Sequence, residues 1–208
     1  MKIGNYLLSI RGLMNLKRYQ NLYLFKQRSV AEHSWSVAKT AQMLAYMEQD
    51  MFGNKVDMGL LLQKAICHDE LEIITGDILS HTKRRTKAMK KATDGLERHV
   101  YNEEYSKNIL PAGLADRFRP FTLDVKDGSI EGDLLKAADI IDTLYEAIEE
   151  LELGNRNYFI GVFASSLEKL KEMELDSVQY FIQTSVDEVN MLIYEEPLEV
   201  EYQKQFNK

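Results

Sequence analysis

Four side chains in this sequence could do metal chemistry together: His33, His68, Asp69 and Asp139. The His68-Asp69 doublet sets an imidazole beside a carboxylate in the run Ala65-Ile66-Cys67-His68-Asp69-Glu70-Leu71-Glu72, which reads as an apolar helix. Each group is costly to bury alone, and each is a good ligand for a borderline or hard divalent ion. With four histidines in the chain, one His-Asp neighbour pair carries little weight by itself. The combination carries more: an inward histidine on one helix, the doublet on a second, and Asp139 flanked by Ala137, Ala138, Ile140 and Ile141 on a third. Taken singly, His33 would ordinarily be a hydrogen-bonded core residue. Glu70 and Asp142 remain possible substitutes for the named carboxylates. Cys67 projects about 100° away from His68 on a helix and reads as a small buried hydrophobe. The lack of a cysteine set argues against a structural zinc site.

Nearly every segment that must position these groups reads helical. Apolar residues recur at helical spacing over 3–14, and 16–30 reads as a loop carrying Arg18, Tyr19, Lys26 and Arg28. Ser29 and Glu32 form a capping box for a helix running to about Gln49, with His33, Val37, Ala41, Leu44 and Ala45 on its inward face. Asp57 caps a helix over roughly 58–74, on which Leu61, Ala65, His68 and Glu72 share a side. Gly76 suits its C-terminal turn. A loop over 78–82 leads into a long polar helix from Lys83 to Asn108, then a short helix over 111–118 and irregular chain over 122–129. An apolar-faced helix over 130–153 carries Asp139, and two more, about 157–174 and 177–195, complete an all-α single domain over 1–195, with a charged tail over 196–208.

Composition limits the partners. The 208 residues include 45% hydrophobic types, enough for one substantial core. No long uncharged apolar stretch or leader pattern is present, and a single cysteine allows no internal disulfide. A soluble cytoplasmic protein is expected, with no membrane partner. A net charge of -7 speaks against a nucleic-acid partner. The basic run Lys83-Arg84-Arg85, continuing to Lys87, Lys90 and Lys91, reads as a solvated helix face or as a rim attracting an anionic substrate.

The order H…HD…D on a helical chain resembles the HD-domain metal phosphohydrolases. Three strings resemble the bacterial 5'-deoxyribonucleotidase branch: Arg28-Ser29-Val30-Ala31-Glu32-His33-Ser34, His68-Asp69-Glu70-Leu71-Glu72-Ile73-Ile74-Thr75-Gly76-Asp77, and Lys136-Ala137-Ala138-Asp139. The stretch Glu149 to Asn155 fits the same branch, and the resemblance covers about residues 10–185. It implies an HD-type helical bundle with the metal site between central helices, usually a homodimer. One divalent transition metal per subunit (Co, Mn, Zn, Fe or Ni, with Mg also suited) would be held by His33, His68, Asp69 and Asp139. Glu72 matches the catalytic carboxylate and Arg18 the arginine that orients the phosphate, while Tyr19, Asp77, Ile78, Leu79 and Ser80 fall at substrate-contacting positions. The implied reaction releases phosphate from deoxyribonucleoside 5'-monophosphates. A triphosphate hydrolase or pyrophosphohydrolase, and a non-catalytic HD-type interaction module, are the alternatives. Two departures stand out: Tyr19 replaces the branch's usual tryptophan, which bears on rejection of the ribose 2'-hydroxyl, and the loop after Asp77 lacks proline and leads into basic residues.

Overall fold

The computed structural model describes residues 3–186. Helices form where apolar residues recur with helical period: α1 (Ile3–Ile10), α2 (Val30–Asp50), α3 (Met58–Cys67), α4 (Glu72–Thr75), α5 (Ser80–Lys83), α6 (Lys87–Val100), α7 (Ala115–Thr122), α8 (Ile130–Glu152), α9 (Arg156–Lys171) and α10 (Asp176–Phe181). Among the described residues there is no strand, only one isolated bridge between Lys17 and Ser29. The all-α expectation therefore holds.

Local signals set several of the starts. The Glu32 amide donates to Ser29 Oγ at 3.2 Å, and the Ser29 amide to the Glu32 carboxylate at 2.6 Å, closing the capping box of α2. Asp57 Oδ1 accepts the Leu60 amide at the start of α3, Thr86 Oγ1 that of Met89 in α6, and Ser129 Oγ that of Gly132 in α8.

Elsewhere the boundaries differ from expectation. The single helix expected over 58–74 is two, α3 and α4, with a turn between. The long polar helix does not begin at Lys83: that residue ends the one-turn α5, and α6 begins at Lys87 and continues as a π-helix over Tyr101–Ile109. The short helix expected over 111–118 is displaced to Ala115–Thr122, because the chain first turns back at Pro111, whose carbonyl accepts the Leu114 amide. The helix expected over 177–195 is seen as α10 and a π-helical continuation at Ile182–Val186. Its remainder, and the tail over 196–208, lie outside the described residues.

Two compact units are gathered from separate stretches. The first takes the residues up to Tyr23, Gln27–Trp35 and Gln63–Asp127. Its core joins Leu71, Tyr101, Tyr105 and Leu110, with Tyr6, Ile74, Ile109, Phe118 and Leu123 packed against them. The second takes Leu24–Lys26, Ser36–Leu62 and the described residues from Gly128 onward. There α8 packs along α9, burying Leu134, Leu135, Ile141, Leu144 and Leu151 on one and Phe159, Ile160, Phe163 and Leu170 on the other.

The second unit also buries a carboxylate with a structural task. Glu48, fully buried near the end of α2, accepts the Ser177 amide at 2.8 Å and the Asn54 side-chain amide at 2.6 Å. It thereby satisfies an otherwise orphaned N–H in the first turn of α10. Glu48→Ala strands the buried Ser177 amide, so urea unfolding is expected to show a loss of about 1–3 kcal/mol. Glu48→Gln, which keeps an acceptor oxygen, should lose less.

Candidate active site

His68 and Asp69 lie in a tight turn just past the end of α3, not inside a helix as the apolar pattern suggested. His68 Nδ1 takes the Ala65 carbonyl at 2.8 Å, a group that the Asp69 amide would use if the helix continued. The next amides close shorter rings instead, Glu70 N to Cys67 O and Glu72 N to Asp69 O, both at 3.0 Å. Glu70 secures the turn from below. Its buried carboxylate accepts the hydroxyl of Tyr6 at 3.0 Å and that of Tyr105. Those bonds occupy Glu70, the alternative carboxylate, and direct it into the core. Cys67 is half-buried, and burial with the neighbouring Glu70 charge pushes its thiol pKa up. It is therefore a weak candidate for a thiolate ligand.

The turn brings His68 and Asp69 to His33, one helical turn inside α2. Asp69 Oδ2 is 3.2 Å from His68 Nε2 and 3.4 Å from His33 Nε2, and the two rings are 5.3 Å apart. Both histidine side chains are almost wholly buried. Because a carbonyl only accepts, His68 carries its proton on Nδ1 when neutral, and Nε2 presents a lone pair. That nitrogen is buried with no hydrogen-bond partner among the described residues. Facing a carboxylate oxygen, that nitrogen calls for a proton or a metal ion between the two. Burial works against the Asp69 charge, yet His68 and His33 hold its carboxyl well below the usual range. The spacing also fits a metal. Two donors each about 2.1 Å from one ion stand about 3.0 Å apart at a right angle and about 3.4 Å apart at the tetrahedral angle. His33 belongs to each of the sets of three His, Asp and Glu side chains, among the described residues, that could take an ion.

Glu72 opens α4 and is buried. Its Oε2 has no hydrogen-bond partner among the described residues, while Oε1 is 3.8 Å from Lys83 Nζ. Burial, then the charges of Asp69 and Asp77, push its pKa up to about 9, against the opposing pull of Lys83 and Arg18. Gly76, at φ +72°, ends α4 in a conformation that side chains resist and turns the chain to Asp77.

Arg18 and Tyr19 come from the loop before α2. That loop is closed at its base by Arg18 N to Arg28 O at 3.0 Å and Val30 N to Leu16 O at 2.9 Å. Tyr19 is buried and has φ +53°, the only positive φ at a non-glycine among the described residues. Its amide donates to Asp77 Oδ2 at 2.9 Å, and the Arg18 guanidinium lies 5.3 Å from its ring centre. Such a backbone costs about 1–2 kcal/mol, which this bond and burial of the ring offset. Ile78 is half-buried, Leu79 buried and Ser80 exposed where α5 begins.

Lys83, named in the sequence only as one member of a basic run, stands apart from that run in the structure. Arg84, Arg85, Lys87, Lys90 and Lys91 are exposed, as a solvated face requires. Lys83 alone turns inward, to Glu72 and to Glu97 at 3.2 Å. Its partner lies on the following helix, so no local pattern marks it.

In the second unit, Asp139 is half-buried on α8, its backbone carbonyl accepting the Thr143 hydroxyl at 3.0 Å. Asp142 and Glu146, on the same helix, are buried.

One family profile and several known proteins resemble this chain. The profile of the 5'-deoxynucleotidase YfbR-like family matches residues 5–189. The 5'-deoxynucleotidase YfbR of Escherichia coli O127:H6 is 26% identical over 160 residues, spanning 77% of this chain and 79% of its own. An HD-domain phosphohydrolase from Listeria innocua superposes with a TM-score of 0.80 at 28% identity, covering 97% of this chain and 93% of that one. At 18% identity and a TM-score of 0.57, an HD phosphohydrolase of cyanophage S-2L, bound to dA and one catalytic Zn2+, shares the fold over 95% of this chain and 96% of its own. With the profile spanning nearly all the described residues, the chain belongs to the YfbR-like family of 5'-deoxynucleotidases, hydrolases of phosphate monoesters.

Proposed function

We propose that this protein hydrolyses deoxyribonucleoside 5'-monophosphates to the deoxyribonucleoside and phosphate, with one divalent transition-metal ion held by His33, His68, Asp69 and Asp139. The observation that carries the reading is the meeting of one Asp69 oxygen with two imidazole nitrogens at 3.2 and 3.4 Å, beside a buried carboxylate and two cations. Asp139 is assigned as the fourth ligand by its match to the family motif, and its half-buried position on α8 is compatible with that role. The donor set of two imidazoles and two carboxylates suits Co, Mn, Zn, Fe or Ni better than Mg.

When bound, such an ion neutralises phosphoryl oxygens and makes water acidic enough to attack at neutral pH. The remaining work falls to the chain. Arg18 pairs with phosphate oxygens and stabilises the charge that grows on them. Asp69 is among the charges that raise the proton affinity of Glu72; with a metal ion's charge opposing that repulsion, Glu72 would be ionised, would accept a proton from the attacking water and would return one to the leaving 5'-oxygen as the P–O5' bond breaks. Tyr19, held by Asp77, walls the sugar subsite with Ile78, Leu79 and Ser80. The relatives do not favour triphosphate hydrolysis or a non-catalytic module.

We take the working form to be a cytoplasmic homodimer. Exposed Trp35, Met43 and Tyr46 on α2 are compatible with a subunit contact, and no described helix is long and apolar enough to cross a membrane. The net charge of -7 does not favour a nucleic-acid partner.

The test is a panel of ribo- and deoxyribonucleoside mono-, di- and triphosphates, assayed on chelated protein reloaded with Co, Mn, Zn or Mg, with products resolved by chromatography. Phosphate release confined to triphosphates would overturn the reading. Glu72→Ala is expected to keep its metal by elemental analysis while kcat falls about 10²–10⁴-fold. His68→Ala is expected to lose the metal as well.

Glu72 also makes stability depend on pH. Its folded pKa, about 9, lies above its ordinary 4.5, so between those values the folded state binds more protons than the unfolded one. Its contribution is present in full below about pH 4.5 and lost as pH rises through about 9. In chelator-treated protein, Glu72→Gln should therefore gain stability over wild type progressively from about pH 5 to 9. Thermal melts across that range would measure the widening gap.

A further inference from the structure

We propose that Lys83 is a positioning residue for Glu72, and that Glu97 is the tether that holds Lys83 in place. This rests on the role given above to Glu72.

The backbone of Lys83 is fixed, its amide bonded to Leu79 O at 3.0 Å as the last residue of α5. Its stem is largely buried, and the ammonium emerges between two carboxylates. Glu97 Oε1, on α6, is at 3.2 Å and hydrogen-bonded. Glu72 Oε1 is at 3.8 Å, beyond hydrogen-bond range. Lys83 therefore acts on Glu72 as a nearby charge, without capping its oxygen.

That placement answers two problems that Glu72 faces. Its terminal torsion is broad and roughly two-fold, so a buried glutamate does not by itself choose which oxygen it offers. A cation beside Oε1 breaks the tie and leaves Oε2, the buried oxygen without a partner, as the atom offered to the reaction. In addition, Asp69 and Asp77 repel the Glu72 carboxylate. A positive charge on the opposite side draws it into one orientation. A lysine free in solvent would do this poorly. Glu97 restrains the ammonium and, being about one-third exposed, does so at the protein's edge without entering the reaction space.

The sequence pattern gives Lys83 a competing task, that of a basic rim residue binding phosphate. The two roles separate in kinetics. A positioning lysine changes kcat and leaves KM alone, while a phosphate ligand raises KM and weakens inhibition by inorganic phosphate.

The experiment uses the full-length, metal-loaded protein with a deoxyribonucleoside 5'-monophosphate, and compares Lys83→Met, Lys83→Arg, Glu97→Gln and Glu72→Ala with the double variant Glu72→Ala/Lys83→Met. Lys83→Met is expected to lower kcat about 10–100-fold with KM and phosphate inhibition within about twofold of wild type, and Lys83→Arg to recover most of the loss. Glu97→Gln is expected to lower kcat about 3–10-fold at unchanged KM. In the Glu72→Ala background, removing Lys83 should cost nothing further, because its effect is spent through Glu72. A rise in KM with kcat unchanged, full activity of Lys83→Met, or an undiminished further loss in the double variant would each overturn the proposal. Should Lys83→Met melt early or lose metal, Glu97→Gln decides: reduced kcat at constant KM supports the tether, and wild-type kinetics reject it. If Glu72→Ala itself turns over normally, the fault lies with the role of Glu72 and not with the link to Lys83.

Discussion

One carboxylate oxygen facing two imidazole nitrogens is the constraint around which the rest of the first unit is arranged. Asp69 Oδ2 stands close to the Nε2 atoms of His33 and His68. The tautomer of His68 is fixed by the carbonyl behind it. With Nε2 of His68 unprotonated, it and the carboxylate oxygen repel each other, so the arrangement demands a proton or a metal ion there. Meeting that demand with a metal organises the neighbours as well. Glu72, pressed by Asp69 and Asp77, is left with a high proton affinity, and Lys83 and Arg18 keep that pressure in check.

The helical course of the chain was legible because its causes are local. Ser29 with Glu32, and Asp57, each announce a helix start within a few residues of the amide they cap. The inward side of α2, with His33, Val37 and Ala41, follows from its period. What could not be read depends on partners far along the chain. The apolar run through His68 gives no hint of a break, because the turn is held by Glu70 reaching Tyr6 and Tyr105, 64 and 35 residues away. The same applies to Lys83, which differs from its exposed basic neighbours only by meeting Glu72 and Glu97. The four candidate ligands were singled out through spacing and family likeness together, since one His-Asp doublet says little alone.

Tyr19 shows how the substrate side is built. Its left-handed backbone would be unfavourable in a free loop. The antiparallel bridge at Lys17 and Ser29 closes the loop base, and Asp77 accepts the Tyr19 amide. The loop and the segment after Gly76 therefore hold each other, which ties Arg18 and Tyr19 to Asp77 and the residues that follow it.

The chain changes compact unit at residues 23/24, 26/27, 35/36, 62/63 and 127/128. No single cut yields either unit as an uninterrupted polypeptide. A gene fragment encoding one of them alone would lack stretches it needs, and a ribosome must release most of the sequence before either can close. A single crossover within the chain therefore separates stretches that one unit needs together.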